Sequence, residues 1–289
     1  VRPADDGKTV EVAIKPFPAG LVVENRVALT TGRCAGRNRR ILITSPDDAP
    51  EQVRVSGRLS ASCGPQTFRR AVMQPAEYAY GTFVTLWREL GGEFHGGMLR
   101  APRPPTARLL LTQESQSLAE IVRITNKYSS NMMARSLLLT VAAETSGTPA
   151  TAAAGEASVK ELFASRGLEF PELVIGNGSG LSREAVISGD SMARLLIGAW
   201  NSRYAPEFLA SLSLGGLDGT LRKRFEKVND PSRIRMKTGT LRNVSTIAGY
   251  VTGKSGRHYV VVVDVNHPGA QNGVGELIQG AVIEWVLAQ

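Results

Sequence analysis

Ile234-Arg235-Met236-Lys237-Thr238-Gly239-Thr240 alternates apolar and basic residues with the period of a β-strand, then runs into Lys-Thr-Gly. A second strand-like run begins just beyond it. A cation, a hydroxyl and a residue without a side chain thus stand in a row where a strand can line a cleft. That trio suits gripping a carboxylate while letting a ligand backbone lie close. By itself it is weak, because Lys-Thr-Gly also occurs in surface turns and a lone strand lysine is usually solvated. Its weight depends on what faces it.

Working outward, residues 243–252 and 257–265 read as two further strands, joined by Gly253-Lys254-Ser255-Gly256 into a hairpin. A last helix places Val274, Leu277, Ile278, Ala281, Val282 and Trp285 on one stripe, expected to pack on the sheet. Upstream the pattern is helical. Ser115 or Ser117 can cap a helix with Leu118, Ile121 and Val122 on one face, and Glu120 follows Ser117 as in a capping box. That helix ends near Lys127-Tyr128, and another starts at Ser130 or Asn131. Further helices fit residues 151–165, 190–201 and 206–213. Helices followed by strand, strand, strand, helix predict an α+β arrangement with an antiparallel sheet.

The first third is different. Residues 9–15, 21–29, 41–44, 52–59 and 66–72 read as strands with turns between, predicting a small antiparallel β module. Phe83, Leu86, Trp87 and Leu90 then mark a helix closed by Gly91-Gly92. Gly96-Gly97, Pro102, Pro104 and Pro105 suggest a boundary near residue 105, and Arg108–Leu111 a short strand beyond it. The expected domains are 1–105, β-rich and accessory, and 106–289, carrying the motifs.

An apolar fraction of 42% and a charged fraction of 21% are those of a globular chain, and 289 residues suffice for one large or two ordinary domains. The net charge of +8 allows anionic partners, but the bases are scattered. The densest group, Arg37-Asn38-Arg39-Arg40, has no interleaved aromatics, so nucleic acid is not expected. No run is long enough for a membrane span, leaving at most peripheral contact with membrane or cell wall. Neither the two cysteines nor His95, His258 and His267 have metal-ligand spacing, so no metal or other cofactor is expected. Cys34 and Cys63 lie in strand-rich sequence and are read as a disulfide of an oxidising compartment, the alternative being two buried thiols.

The partner of Lys237 is sought at Ser129-Ser130-Asn131, between two helices. Serine and asparagine there are also preferred helix caps. Ser-x-Asn followed by Lys-Thr-Gly before a hairpin and last helix is the order used by penicillin-recognising serine enzymes. Over essentially its whole length the chain resembles the class C low-molecular-mass penicillin-binding proteins, the penicillin-binding protein 4-like D-alanyl-D-alanine carboxypeptidase/endopeptidases. The resemblance is carried by Pro18-Ala19-Gly20-Leu21 with Val23-Glu24-Asn25-Arg26, Val55-Ser56-Gly57 leading to Cys63-Gly64, and Asn126 to Ala134. Asn177-Gly178-Ser179-Gly180-Leu181-Ser182-Arg183, Asp218 to Arg224 and Val265-Asn266-His267-Pro268 extend it.

One element departs. The family's nucleophile lies in Ser-x-x-Lys, yet no serine stands three residues before any of the eight lysines. Thr220-Leu221-Arg222-Lys223 comes nearest but belongs to another family stretch. The chain is therefore expected to be the C-terminal part of such an enzyme, beginning inside the inserted module and inactive alone. The resemblance implies a periplasmic serine-type peptidase acting on peptidoglycan stem peptides through an acyl-enzyme, and a target of β-lactam antibiotics. It implies that Ser129 relays a proton to the leaving amine and that Asn131 holds the missing lysine and the substrate amide. Lys237, Thr238 and Gly239 would bind the terminal carboxylate and peptide, and the Thr240 N–H would be half of the oxyanion hole. Ser179 and Ser182 do not fit a nucleophile-elbow frame and are read as a structural turn. Two other classes stay open: a non-catalytic peptidoglycan-binding scaffold, and a serine β-lactamase, against which the β module argues.

Overall fold

The computed structural model describes residues 1–46, 48–49 and 51–289. It divides into two compact units, Val1–Leu110 and Leu111–Gln289. No helix among the described residues is long and apolar enough to cross a membrane.

In the first unit, β1 (Arg2–Pro3) and β2 (Val10–Glu11) form a two-stranded ribbon. β3 (Val22–Thr30), β4 (Arg39–Thr44) and β5 (Gln52–Ser60) form a sheet in the order β3-β5-β4. β4 pairs antiparallel with β5, whereas β3 runs parallel to it, from Val22 opposite Gln52 to Thr30 opposite Ser60. The antiparallel module expected from the sequence is therefore a mixed sheet. β5 takes the central place, so β3 must pair on its far side, where the two chain directions coincide. Its Val53, Val55 and Leu59 form the buried floor of the unit. Cys34 and Cys63 are joined in a disulfide, with Cα atoms 5.0 Å apart.

Three expected strands are corrected. The run 9–15 shrinks to β2: the Asp6 carboxylate accepts from the Lys8 and Thr9 N–H groups in the turn just before it, and residues 12–15 have no strand partner among the described residues. Residues 66–72 and 108–111 have no strand partner among the described residues, and Leu109, Leu110 and Leu111 are exposed. The helix α1 (Pro75–Glu89) forms as its periodicity requires. It packs through Gly81, where a Cβ would fall 2.6 Å from the Ala19 carbonyl oxygen. Phe83, Leu86 and Trp87 turn outward, and Phe83 stacks on Trp87 at 5.8 Å.

The second unit opens with α2 (Leu118–Tyr128), α3 (Asn131–Ser146), α4 (Ala152–Ser165), α5 (Gly189–Trp200) and α6 (Ala205–Ser211). Ser117 caps α2 by accepting from the Glu120 N–H, but the Glu120 carboxylate pairs with Arg123, so only half of the capping box forms. β6 (Ser213–Leu214), β7 (Ile234–Leu241), β8 (Val244–Thr252) and β9 (His258–Asn266) make an antiparallel sheet in that order. Helix α7 (Val274–Leu287) closes the chain.

The alternation read at 234–240 gives this sheet two different faces. Ile234, Met236, Ile247, Val251 and Val261 point one way and pack with Ile283 and Val286 of α7. The other face is covered by α5 and α6 at one end, around Leu196, Leu212 and Tyr250. At its other end stand Lys237, Gly239, Thr246 and Asp264, placed by the register of the three strands.

Helix α7 docks mostly by a different side from the one expected, Val282 of the expected stripe still packing against the core. Val274, Leu277, Ile278 and Trp285 are exposed, while Gly275, Gln279, Ile283 and Val286 meet the sheet. Close approach decides it: a Cβ at Gly275 would fall 2.4 Å from the Ser245 Cβ. Gln279, fully buried, donates to the Ser245 hydroxyl at 3.0 Å and accepts from Arg224 at 3.1 Å. A satisfied polar residue thus occupies a core position that hydrophobicity alone would reject.

Candidate active site

Lys237 stands on β7 opposite Ala248, on the face it shares with Arg235 and Gly239. β6 reaches only as far as Met236, so from Lys237 onward this edge of β7 has no strand partner among the described residues. A ligand backbone can therefore lie along it. Gly239 is required locally, because a Cβ there would fall 2.5 Å from the Thr246 hydroxyl on the neighbouring strand. Thr240 is exposed near the strand end, in register with Ser245.

The facing wall comes from the end of α2. Its last turn closes through Ser129, which is left-handed at φ 51° and ψ 51° and returns its N–H to the Thr125 carbonyl. A non-glycine residue there carries a steric cost of roughly 1–2 kcal/mol. Ser130 then caps α3, accepting from the Met133 N–H at 3.4 Å. The two readings of this triplet therefore apply to different serines: Ser130 is the cap, and Ser129 is left for other work. The Lys237 ammonium donates to the Ser129 hydroxyl at 2.5 Å and to the Thr238 carbonyl at 2.6 Å. Asn131, the first residue of α3, is exposed, and its amide has no hydrogen-bond partner among the described residues.

Lys237 has no carboxylate within ion-pair distance among the described residues. Desolvation by burial pushes its pKa below the ordinary lysine range. Asp264, in register with Thr246 across from Gly239, is pushed up by burial. A partly buried cation beside a hydroxyl and an open strand edge can bind a carboxylate and, through the hydroxyl, pass a proton.

Behind this wall lies an ion pair that the sequence reading missed. Lys127 is 6% exposed, and its ammonium reaches Asp218 at 2.5 Å and the Leu212 carbonyl at 2.9 Å. Nothing in the sequence marks it: Lys127 lies two residues from Thr125 and off the stripe of Leu118, Ile121 and Val122, yet it is buried in the fold. Thr220, on the 3-10 turn Gly219–Leu221, has no role in the sequence reading beyond its place in the stretch Asp218 to Arg224. Its hydroxyl accepts from that of Thr238 at 2.9 Å, and Lys223 is exposed. The Ser179 and Ser182 stretch is a turn: the Asn177 carboxamide accepts from Ser179 N–H and hydroxyl, and Ser182 accepts from the Glu184 N–H.

Two grooves lie elsewhere, one of about 900 Å³ lined by Val12, Ile14, Val53 and Phe68, the other of about 550 Å³ beside Trp200, Arg235 and His258. Neither includes Ser129 or Lys237. The candidate site lies along the open edge of β7.

Residues 1–287 match the family model described as D-Ala-D-Ala carboxypeptidase 3 (S13) family. The chain belongs to this family. Among curated relatives, the D-alanyl-D-alanine carboxypeptidase of Actinomadura sp. (strain R39) is 30% identical over 277 residues, covering 93% of this chain and 51% of that protein. The D-alanyl-D-alanine carboxypeptidase DacB of Haemophilus influenzae is 28% identical over 73% of this chain and 45% of its own length. This S13 chain thus spans about half the length of the curated relatives it matches. Of solved structures, penicillin binding protein 4 (dacB) from H. influenzae, complexed with a β-lactam, superposes at a TM-score of 0.66 with 25% identity, over 86% of this chain and 58% of that one. A further structure of the same protein gives 0.67 at 24% identity, over 90% and 61%. The α+β fold is that of these penicillin-binding proteins.

Proposed function

We propose that the chain carries the substrate-binding half of a serine-type D-Ala-D-Ala carboxypeptidase/endopeptidase that acts on peptidoglycan stem peptides and is a target of β-lactams. Membership of the S13 family supports the reaction class. The observation that carries the reading is the 2.5 Å contact between the Lys237 ammonium and the Ser129 hydroxyl, between residues 108 apart in sequence. In this reading the terminal carboxylate lies against Lys237 and Thr238, with the peptide along the edge of β7 beside Gly239. Ser129 accepts from the ammonium, so its own proton is free to go to the departing D-alanine amine. The lowered affinity of Lys237 for its proton eases the return of a proton to Ser129. Asn131 orients the substrate amide, and the Thr240 N–H faces the developing oxyanion.

The first unit is read as an accessory module and the second as the transpeptidase-like domain. The attacking serine is not among these residues, since none precedes a lysine by three positions. The chain alone should therefore bind without turning over. The same observation favours a second reading, a non-catalytic peptidoglycan-binding protein that keeps the carboxylate grip. The Cys34–Cys63 disulfide supports a periplasmic or cell-wall location.

Fluorescent penicillin tests the missing nucleophile: no covalent adduct is expected, and a stable acyl adduct on this chain would overturn that part. Full-length protein carrying an upstream Ser-x-x-Lys should form the adduct and lose it on Ser129→Ala or Lys237→Ala. A full-length protein that contains the motif, folds and never acylates would favour the non-catalytic reading.

A further inference from the structure

We propose that Thr220 supplies a third hydrogen-bond donor to the carboxylate bound at Lys237 and Thr238, and that the ion pair between the buried Lys127 and the half-buried Asp218 holds it in place. The inference rests on the carboxylate-binding reading above and extends it to residues that reading does not use.

The turn after β6 determines where Thr220 stands. One Asp218 oxygen accepts from the Leu214 N–H at 2.8 Å, closing the turn, and the other meets the Lys127 ammonium at 2.5 Å. Gly219 is left-handed at φ +55°, and a Cβ on it would fall 2.7 Å from the Lys127 carbonyl oxygen and 2.2 Å from the Ser213 hydroxyl. The turn therefore lies directly against the end of α2, two residues before Ser129. Asn126 strengthens the attachment, donating to the buried Ser211 hydroxyl at 2.8 Å. Thr220 follows, its N–H donating to Ser213 at 3.2 Å. Its neighbour Leu221 is fully buried, whereas Thr220 itself is exposed. The Thr220 side chain is thus spared from packing and presented at the point where β6 stops and the edge of β7 opens.

The chemistry follows from the hydroxyl inventory. Thr238 donates to Thr220 at 2.9 Å, so the Thr220 proton is not needed for that contact. Its other neighbour within reach, the Ser213 hydroxyl, is 3.4 Å away. A carboxylate has two oxygens and about four acceptor sites, more than an ammonium and one hydroxyl fill. When Thr238 turns its proton to the ligand, Thr220 can donate either to Thr238 or to the second carboxylate oxygen. The second arrangement is the one that puts a third donor on the carboxylate; the first supports Thr238 while Thr238 donates. The Lys127–Asp218 pair matters because α2 and the turn are fastened through it. One attachment thereby sets Ser129 on one side of the ligand and Thr220 on the other.

The test uses this chain with N-acetyl-D-alanyl-D-alanine and its C-terminal amide, followed by NMR shift titration. The acid should bind and the amide should not. Thr220→Val, an isosteric change at an exposed position, should weaken the acid about tenfold, the loss expected for one hydrogen bond to a charged group. Thr220→Ser should restore it to within about twofold. Asp218→Asn keeps the acceptor for Leu214 and removes the charge. It should weaken the acid similarly, and combining it with Thr220→Val should cost little more than either change alone. Acid binding unchanged in Thr220→Val overturns the Thr220 assignment. Fully additive losses overturn the Lys127–Asp218 role. Equal binding of acid and amide by the unaltered chain overturns the carboxylate reading and this grip together.

Discussion

The two faces of the four-stranded sheet are built from the same strands and have opposite chemistry. On the α7 side, Ile234, Met236, Ile247 and Val251 are fully buried, and the buried polar groups Gln279 and Ser245 satisfy one another, with Arg224 donating to Gln279. On the other side, Lys237 is partly desolvated with no carboxylate in ion-pair reach among the described residues, the pKa of Asp264 is pushed up by burial, and Ser129 is held left-handed. The first face is arranged for stability. The second retains features that cost folding energy, as binding and catalytic surfaces commonly do.

The largest effect should come from the closed face. Ile283→Ala removes a fully buried side chain between α7 and the sheet and should cost about 2–5 kcal/mol in urea unfolding. A loss under about 1 kcal/mol would mean that this face tolerates voids and the contrast is false. Next comes Gln279→Leu. It leaves the Ser245 hydroxyl and Arg224 without their partner and should cost about 1–3 kcal/mol, measured in the same way.

Lys237→Met, on the open face, should behave in the opposite sense. It should leave stability unchanged or raise it by up to about 1 kcal/mol, while binding of a peptide carboxylate is lost. A clear destabilisation would show that Lys237 is a structural residue. The smallest effect is its pH dependence. The folded-state pKa of Lys237 lies below that of the unfolded chain, so between the two values the unfolded state holds more protons. Its penalty is therefore complete below the folded pKa. Stability should rise as pH climbs through that value towards the ordinary lysine range. Carboxylate binding should fall over the same interval, because the cation is lost. Side-chain NMR of Lys237 alongside unfolding curves checks both signs, and a titration at or above the ordinary lysine range would contradict the desolvation.

Much of this was legible in the residues themselves. The period-two run at 234–240 marked β7, and its apolar members do point to the core. Ser115 or Ser117, and Ser130 or Asn131, marked helix starts because capping is local chemistry, and the structure selects Ser117 and Ser130. What could not be read depended on partners distant in sequence. Alternation does not encode direction, so β3 gave no sign that it would run parallel to β5. Most of the apolar stripe of α7 pointed away from the true contact because Gly275 allows an approach that no larger residue would. At the site, the triplet at 129–131 could be found but not apportioned, since only the left-handed turn separates the capping serine from the one beside Lys237. Lys127, off the apolar stripe of α2, gave no sign of its burial or of its partner Asp218.

The outward stripe of α7 has a practical consequence. Val274, Leu277, Ile278 and Trp285 face solvent, in a unit whose strand β9 is a sheet edge with the run Val260 to Val263. Exposed apolar surface and an unpaired strand edge both promote self-association. The net charge of +8 opposes it by mutual repulsion, and salt screens that repulsion. Concentrated solutions should therefore scatter more light as sodium chloride is raised, and Leu277→Lys with Trp285→Lys should keep them clear.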